Sequence, residues 1–222
     1  MKRILYFILA LCLYACQSRD DSNKTEAGSP PLATETTSDT TTVAESAQPA
    51  APDSAYLIVP GQRIGKVELG MSAETLNNIL GKADSGDAAM GKALSFWVSK
   101  PGNGPREYLA VYTVNNFDGS GNPPQVQQVQ VTSPQFTTAN GISTGEVLSK
   151  IRKQFNSLKP MAYYTNEQNQ QVYIYDDQPQ GIAFEITVAD RVCTAITIHS
   201  KGENVTGTYL PIHPDLTRLE QQ

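Results

Sequence analysis

Few side chains in this 222-residue sequence combine type and spacing into recognisable chemistry. The two histidines are His199, at the end of a strand-like run, and His213, in Pro211-Ile212-His213-Pro214-Asp215. No His, Cys or carboxylate cluster has the spacing of a tetrahedral zinc site. A Ser-His-Asp or Cys-His arrangement would need the fold to carry one of these histidines to a nucleophile, and nothing in the spacing points to that. A structural or solvent-exposed role is expected for both. Asp176-Asp177 is a carboxylate pair, and turn chemistry explains it better than acid–base catalysis or calcium. Gly61, Gly65, Gly70 and Gly81 are scattered and form neither a P-loop nor a dinucleotide fingerprint. The expectation is a non-enzyme with no catalytic residue, no metal and no cofactor.

Aromatic residues are the better lead. Tyr108, Tyr112, Tyr173 and Tyr175 alternate along strand-like segments, and Trp97 sits on another. If these rings share the sheet face opposite the helices, they form the rigid amphipathic surface that protein interfaces favour. The other reading makes them the core face, since aromatic residues favour strands in any case.

The elements that must position these rings are legible in outline. Alternation and flanking turn residues predict strands over 93–99, 107–115 and 125–132, then 161–165, 171–176, 181–188 and 191–200. Val129 and Val131 alternate with Gln128 and Gln130, and Tyr173 and Tyr175 with Val172 and Ile174, which predicts one buried and one wetter face. Stretches 100–105 and 115–124 read as Gly/Pro/Asn-rich hairpin loops. One helix should start at Ser72 and stop at Gly81. A second should start at Ser143, where Glu146 has capping-box spacing, and run to about Phe155. Gly70-Met71-Ser72-Ala73-Glu74-Thr75-Leu76 aligns with Gly141-Ile142-Ser143-Thr144-Gly145-Glu146-Val147. Each is followed by a matching late strand, so an internal repeat is expected, about 56–134 and about 135–201.

The N-terminal part reads as an address. Lys2 and Arg3 precede an apolar run, Ile4 to Leu13, that is short of the roughly 20 residues a spanning helix needs. Leu13-Tyr14-Ala15-Cys16 resembles the lipobox of bacterial lipoproteins, with Tyr14 bulkier than that position usually carries. The resemblance implies a signal peptide over 1–15, cleavage before Cys16 and lipid on that cysteine. The mature chain would then carry a net charge of −7 and show no basic stretch, which argues against nucleic acid. Cys193 would be the one thiol left to the folded part, read as a small buried hydrophobe.

Residues 16–55 read as a lipidated disordered tether, rich in Ser, Thr, Ala, Pro and acids, with an r.m.s. span of about 35 Å. Asp20-Asp21 behind the cysteine resembles the surface-export signal of some Gram-negative lipoproteins. Asp39-Thr40-Thr41 and Asp53-Ser54-Ala55 look like a short bacterial O-glycosylation sequon, which would modify Thr40 and Ser54; solvated linker explains them equally well.

Gly70-Met71-Ser72 with Leu76 and Leu80-Gly81-Lys82 is similar to the helix of outer-membrane-assembly lipoproteins of the BamE (SmpA) type. Doubled, the layout resembles the tandem repeat of β-lactamase-inhibitor protein. The resemblance implies an α+β domain over 56–206, made of two tandem helix-plus-antiparallel-sheet repeats, with a C-terminal tail over 207–222 packed on the surface. The expected function is a non-catalytic envelope lipoprotein at the outer membrane. It would be held there by lipid on Cys16, on the periplasmic or the cell-surface side, and would bind a protein partner or serve as an accessory factor. A surface ligand- or carbohydrate-binding lipoprotein is the alternative.

Overall fold

A computed structural model describes residues 53–102, 104–115, 121–208, 212–213 and 215–220. Cys16 and Thr40 lie outside the described residues.

The chain enters through a 3-10 turn, Ser54–Tyr56, fixed by the Asp53 carboxylate accepting from Ala55 N. Short strands β1 (Leu57–Val59), β2 (Arg63–Ile64) and β3 (Val67–Glu68) follow in tight antiparallel order. Helix α1 (Ala73–Leu80) begins as expected, with Ser72 Oγ accepting from Thr75 N at 3.1 Å. It ends at Gly81, whose positive φ of 74° is one that a side chain would strain. Strands β4 (Ser85–Ala89), β5 (Lys92–Val98), β6 (Tyr108–Val114) and β7 (Gln125–Val131) form a meander. After β8 (Thr137–Thr138) and helix α2 (Leu148–Gln154) come β9 (Lys159–Thr165), β10 (Gln171–Asp177), β11 (Ile182–Thr187) and β12 (Cys193–Ile198). A short helix α3 (Val205–Thr208) and strand β13 (Thr217–Arg218) close the described chain.

The expected α+β fold of two helix-plus-sheet repeats is not what forms. The molecule is mostly β, with 42% of the described residues in strands against 13% in helix. β7 and β12 pair with each other, so the long strands make one continuous sheet in the order β13-β9-β10-β11-β12-β7-β6-β5-β4 rather than two sheets. A second sheet, β3-β2-β1-β8, is closed by the parallel pairing of β1 and β8. Its strands are two or three residues long, too short for alternation to show in the sequence. The two longer helices run only eight and seven residues, and much of the core falls to this small sheet.

The second helix also starts later than expected. Gly145 N donates to Cys193 O, and Cys193 N donates to Glu146 O. Leu148 N donates to Arg191 O. This extended pairing with the β11–β12 hairpin takes the place of a capping box. Ser143 Oγ donates instead to Thr144 O, and Glu146 takes Lys150 Nζ at 2.6 Å.

Ile58, Ile64 and Val67 of the small sheet, Leu76 of α1 and Leu148 and Ile151 of α2 pack on one face of the large sheet. Val111, Val129, Phe184, Ile186 and Ile196 stand on that face. The opposite face is not the wetter one that the sequence implied. Gln128 and Gln130 are buried there among Ala162, Tyr164, Val172 and Ile174. The C-terminal segment lies across it, placing Val205 and Leu216 on that cluster. β13 pairs with β9, so this segment belongs to the sheet and is more than a surface tail.

Candidate functional site

Both histidines meet carboxylates, His199 beneath the C-terminal segment and His213 within it. His199 is fully buried, with Nε2 2.9 Å from Asp176 Oδ1 and Nδ1 3.0 Å from Ser200 O. Both partners offer acceptor oxygens, and which ring nitrogen donates depends on the tautomer. The other Asp176 oxygen accepts Val205 N at 2.9 Å, which ties the start of the C-terminal segment to the sheet. Of the Asp176-Asp177 pair, Asp177 opens the β10–β11 turn as expected, its main-chain and side-chain oxygens accepting from Gln180 N, whereas Asp176 meets His199 in the interior. Asp177 is buried as well, and accepts from Ser157 N and Gln180 N.

The second pair belongs to a row of buried polar groups. Glu185 accepts from Gln130 Nε2 at 2.8 Å and from Tyr164 OH at 2.7 Å. Gln130 Nε2 also donates to Thr197 Oγ1, and Tyr108 OH donates to Gln130 Oε1. His213 lies flat on Tyr164, centroids 3.4 Å apart, with Nε2 3.4 Å from Glu185 Oε1. Burial, with the Glu185 charge beside it, pushes the Tyr108 phenol well above its ordinary range. The space left between Glu185, Thr197, Leu216 and Arg218 is about that of a water molecule. Each polar group finds its partner within the row. This is a buried network that fastens the C-terminal segment.

The open surface lies on the other face, at the β9–β10 side. The β9–β10 register places Tyr163 opposite Tyr173, with ring centroids 5.6 Å apart, and Tyr175 follows at 6.2 Å. All three rings are half-buried. Arg152 of α2 lays its guanidinium over Tyr175, 5.4 Å from the ring centroid. The β11–β12 turn supplies Arg191, exposed and at a φ of 59° that is unusual for a residue with a Cβ. Asp190 holds that turn by accepting from Thr187 Oγ1 and Val192 N. The Thr187 bond, with the Val192 amide behind it, keeps the Asp190 carboxyl below the usual range. Two hollows, both open to solvent, share Leu148 and Arg191 as walls. Exposed Val147 lines one and exposed Val188 the other.

No protein-family model matches the chain, and no curated protein or solved structure shows significant similarity to it. Its site is therefore read from its own geometry.

Of the five aromatic residues expected to meet a partner together, the structure joins only Tyr173 and Tyr175. Their face is that of the helices, not the one opposite. Tyr108 and Tyr112 point to the other face, Tyr108 half-buried and Tyr112 only 1% exposed. Trp97 packs against the main core and donates its indole N–H to Gly81 O at 3.2 Å. Ser54 is exposed, though it belongs to the entering 3-10 turn, its carbonyl accepting from Arg63 Nη1, rather than to free tether. Cys193 is buried, and burial pushes its thiol far above the ordinary range, in keeping with a packing role.

Sequence reasoning missed Tyr163, Arg152 and Arg191. A signal for Tyr163 was present: a turn centred on 168 pairs 163 with 173. Arg152 and Arg191 carried none, because only tertiary packing brings α2 and the β11–β12 turn beside β10.

Proposed function

We propose that this protein is a non-catalytic envelope lipoprotein that docks a partner protein on the surface formed by Tyr163, Tyr173, Tyr175 and Arg152. In this reading lipid on Cys16 anchors it at the outer membrane. The observation that carries the docking surface is the row of three half-buried tyrosines capped by an arginine, with solvent-open hollows beside it. Tyrosine and arginine concentrate binding energy in protein interfaces because they combine large rigid area with hydrogen-bonding capacity.

Photo-crosslinking in intact cells tests it. A photoreactive residue at position 173 should give a discrete adduct, and one at position 215, within the C-terminal segment, should not. Adducts from neither site, or from 215 alone, would remove this surface as the docking site. Cys16→Ser should move the protein from the membrane to the soluble fraction; retention on the membrane would sink the anchor. Protease treatment of intact cells, with permeabilised cells as control, then separates surface display from a periplasmic domain.

A further inference from the structure

Resting on that docking surface, we infer that the partner engages it with an acidic polypeptide segment, its carboxylates on Arg152 and Arg191 and its apolar side chains in the adjoining hollows. The chain as a whole is acidic, with 22 Asp and Glu against 17 Lys and Arg. Yet these two guanidiniums flank one patch, and neither has an ion-pair partner among the described residues. The nearby carboxylates are committed elsewhere. Asp190 accepts from the Thr187 hydroxyl and the Val192 amide of its own turn. Glu146 is engaged by Lys150.

Arg152 sits over Tyr175 with its Cζ 5.4 Å from the ring centroid, and no carboxylate among the described residues pairs with its guanidinium, whose fork geometry matches a carboxylate. Arg191 is held by a turn whose strain a glycine would relieve, so its presence there is not explained by backbone preference. The hollows on either side of Leu148 are lined in part by Val147, Val188 and Ile186, which suit apolar side chains between the acidic ones. A polypeptide supplies both kinds of group on one backbone. An anionic polysaccharide or a nucleic acid supplies the charge and would leave the valines uncovered.

The probe is a fluorescein-labelled random copolymer of glutamate and tyrosine, followed by fluorescence anisotropy with the full chain. Heparin, a single-stranded oligonucleotide and a glutamine–tyrosine copolymer serve as comparisons. The acidic copolymer should bind, and Arg191→Gly combined with Arg152→Gln should weaken it by about tenfold or more. Arg191→Gly is chosen because glycine takes the left-handed conformation freely, so loss of affinity is not loss of the turn. A thermal melt of the double variant close to that of the parent keeps the comparison clean. Arg152→Lys keeps the charge without the fork and should fall between the two. Absence of copolymer binding, binding indifferent to the two arginines, or heparin or oligonucleotide bound more tightly through the same arginines would each overturn the inference. An adduct at position 173 in cells without copolymer binding would leave the docking surface standing and remove only its acidic partner.

Discussion

At the scale of single residues, the molecule separates buried polar groups that hold it together from exposed ones that can meet a partner. His199 and Asp176 illustrate the first kind, since each satisfies the other with almost no exposure. Removing the imidazole leaves a buried carboxyl oxygen of Asp176 without its hydrogen-bond partner, which costs more than the bond itself contributes. His199→Ala should therefore destabilise the fold by about 3 kcal/mol or more in urea denaturation, and also loosen the C-terminal segment, because Asp176 holds Val205 N. His199→Gln, which keeps a donor, should lose less. Equal midpoints for the Ala variant and the parent would show that the pair does not stabilise the fold. Half-buried Tyr163, Tyr173 and Tyr175 with exposed Arg152 form the surface proposed to dock a partner, and on that proposal their substitution should change binding rather than the melt.

At the scale of elements, close backbone approaches join what the helices leave uncovered. Gly61 N donates to Gly181 O, tying the β1–β2 turn to the β10–β11 turn. At Gly181 (φ 72°) an added Cβ would stand 2.4 Å from His199 O and 2.9 Å from Gly61 Cα. Gly141 has nearly the same φ, 73°, but open space around it. Comparing alanine at the two positions separates conformation from crowding. Gly141→Ala should cost about 1 kcal/mol, the left-handed penalty alone. Gly181→Ala should cost about 3 kcal/mol or more, because backbone atoms must also move. Similar losses at both would mean that the approach at Gly181 relaxes easily. The same scale explains which elements the sequence revealed. β5, β6, β7, β10, β11 and β12 are six or seven residues long, and their alternation or apolar runs marked them within a residue or two. The exposed edge strand β4, of sequence Ser-Gly-Asp-Ala-Ala, carried no apolar pattern to find.

At the scale of the whole molecule, the C-terminal segment makes the second face of the large sheet an interior. Without it, Gln130 and Glu185 would meet water, and the cluster around Ala162, Val172 and Ile174 would be exposed. Deleting residues 205–222 should lower the melting temperature, cost about 3 kcal/mol or more from the burial of Val205 and Leu216, and create binding of a hydrophobic dye. An unchanged melt without dye binding would show that the sheet does not need this cover.

The sequence by itself determined what depends on neighbours along the chain. It marked the long strands through their alternation, the start and stop of α1 through Ser72 and Gly81, and the absence of any ligand-spaced histidine cluster. Tertiary structure alone decided the rest. It joined β7 to β12 so that expected repeats became one sheet, and moved the start of α2 by pairing Gly145 and Glu146 with Cys193. It also turned the glutamines of β7 inward under a distant segment, and brought Arg152 and Arg191 to the tyrosines of β10. The physical reason is common to all four. A side chain's periodicity states which face it shares with its neighbours, but what covers that face is fixed by pairings between segments tens of residues apart, whose hydrogen bonds leave no local pattern.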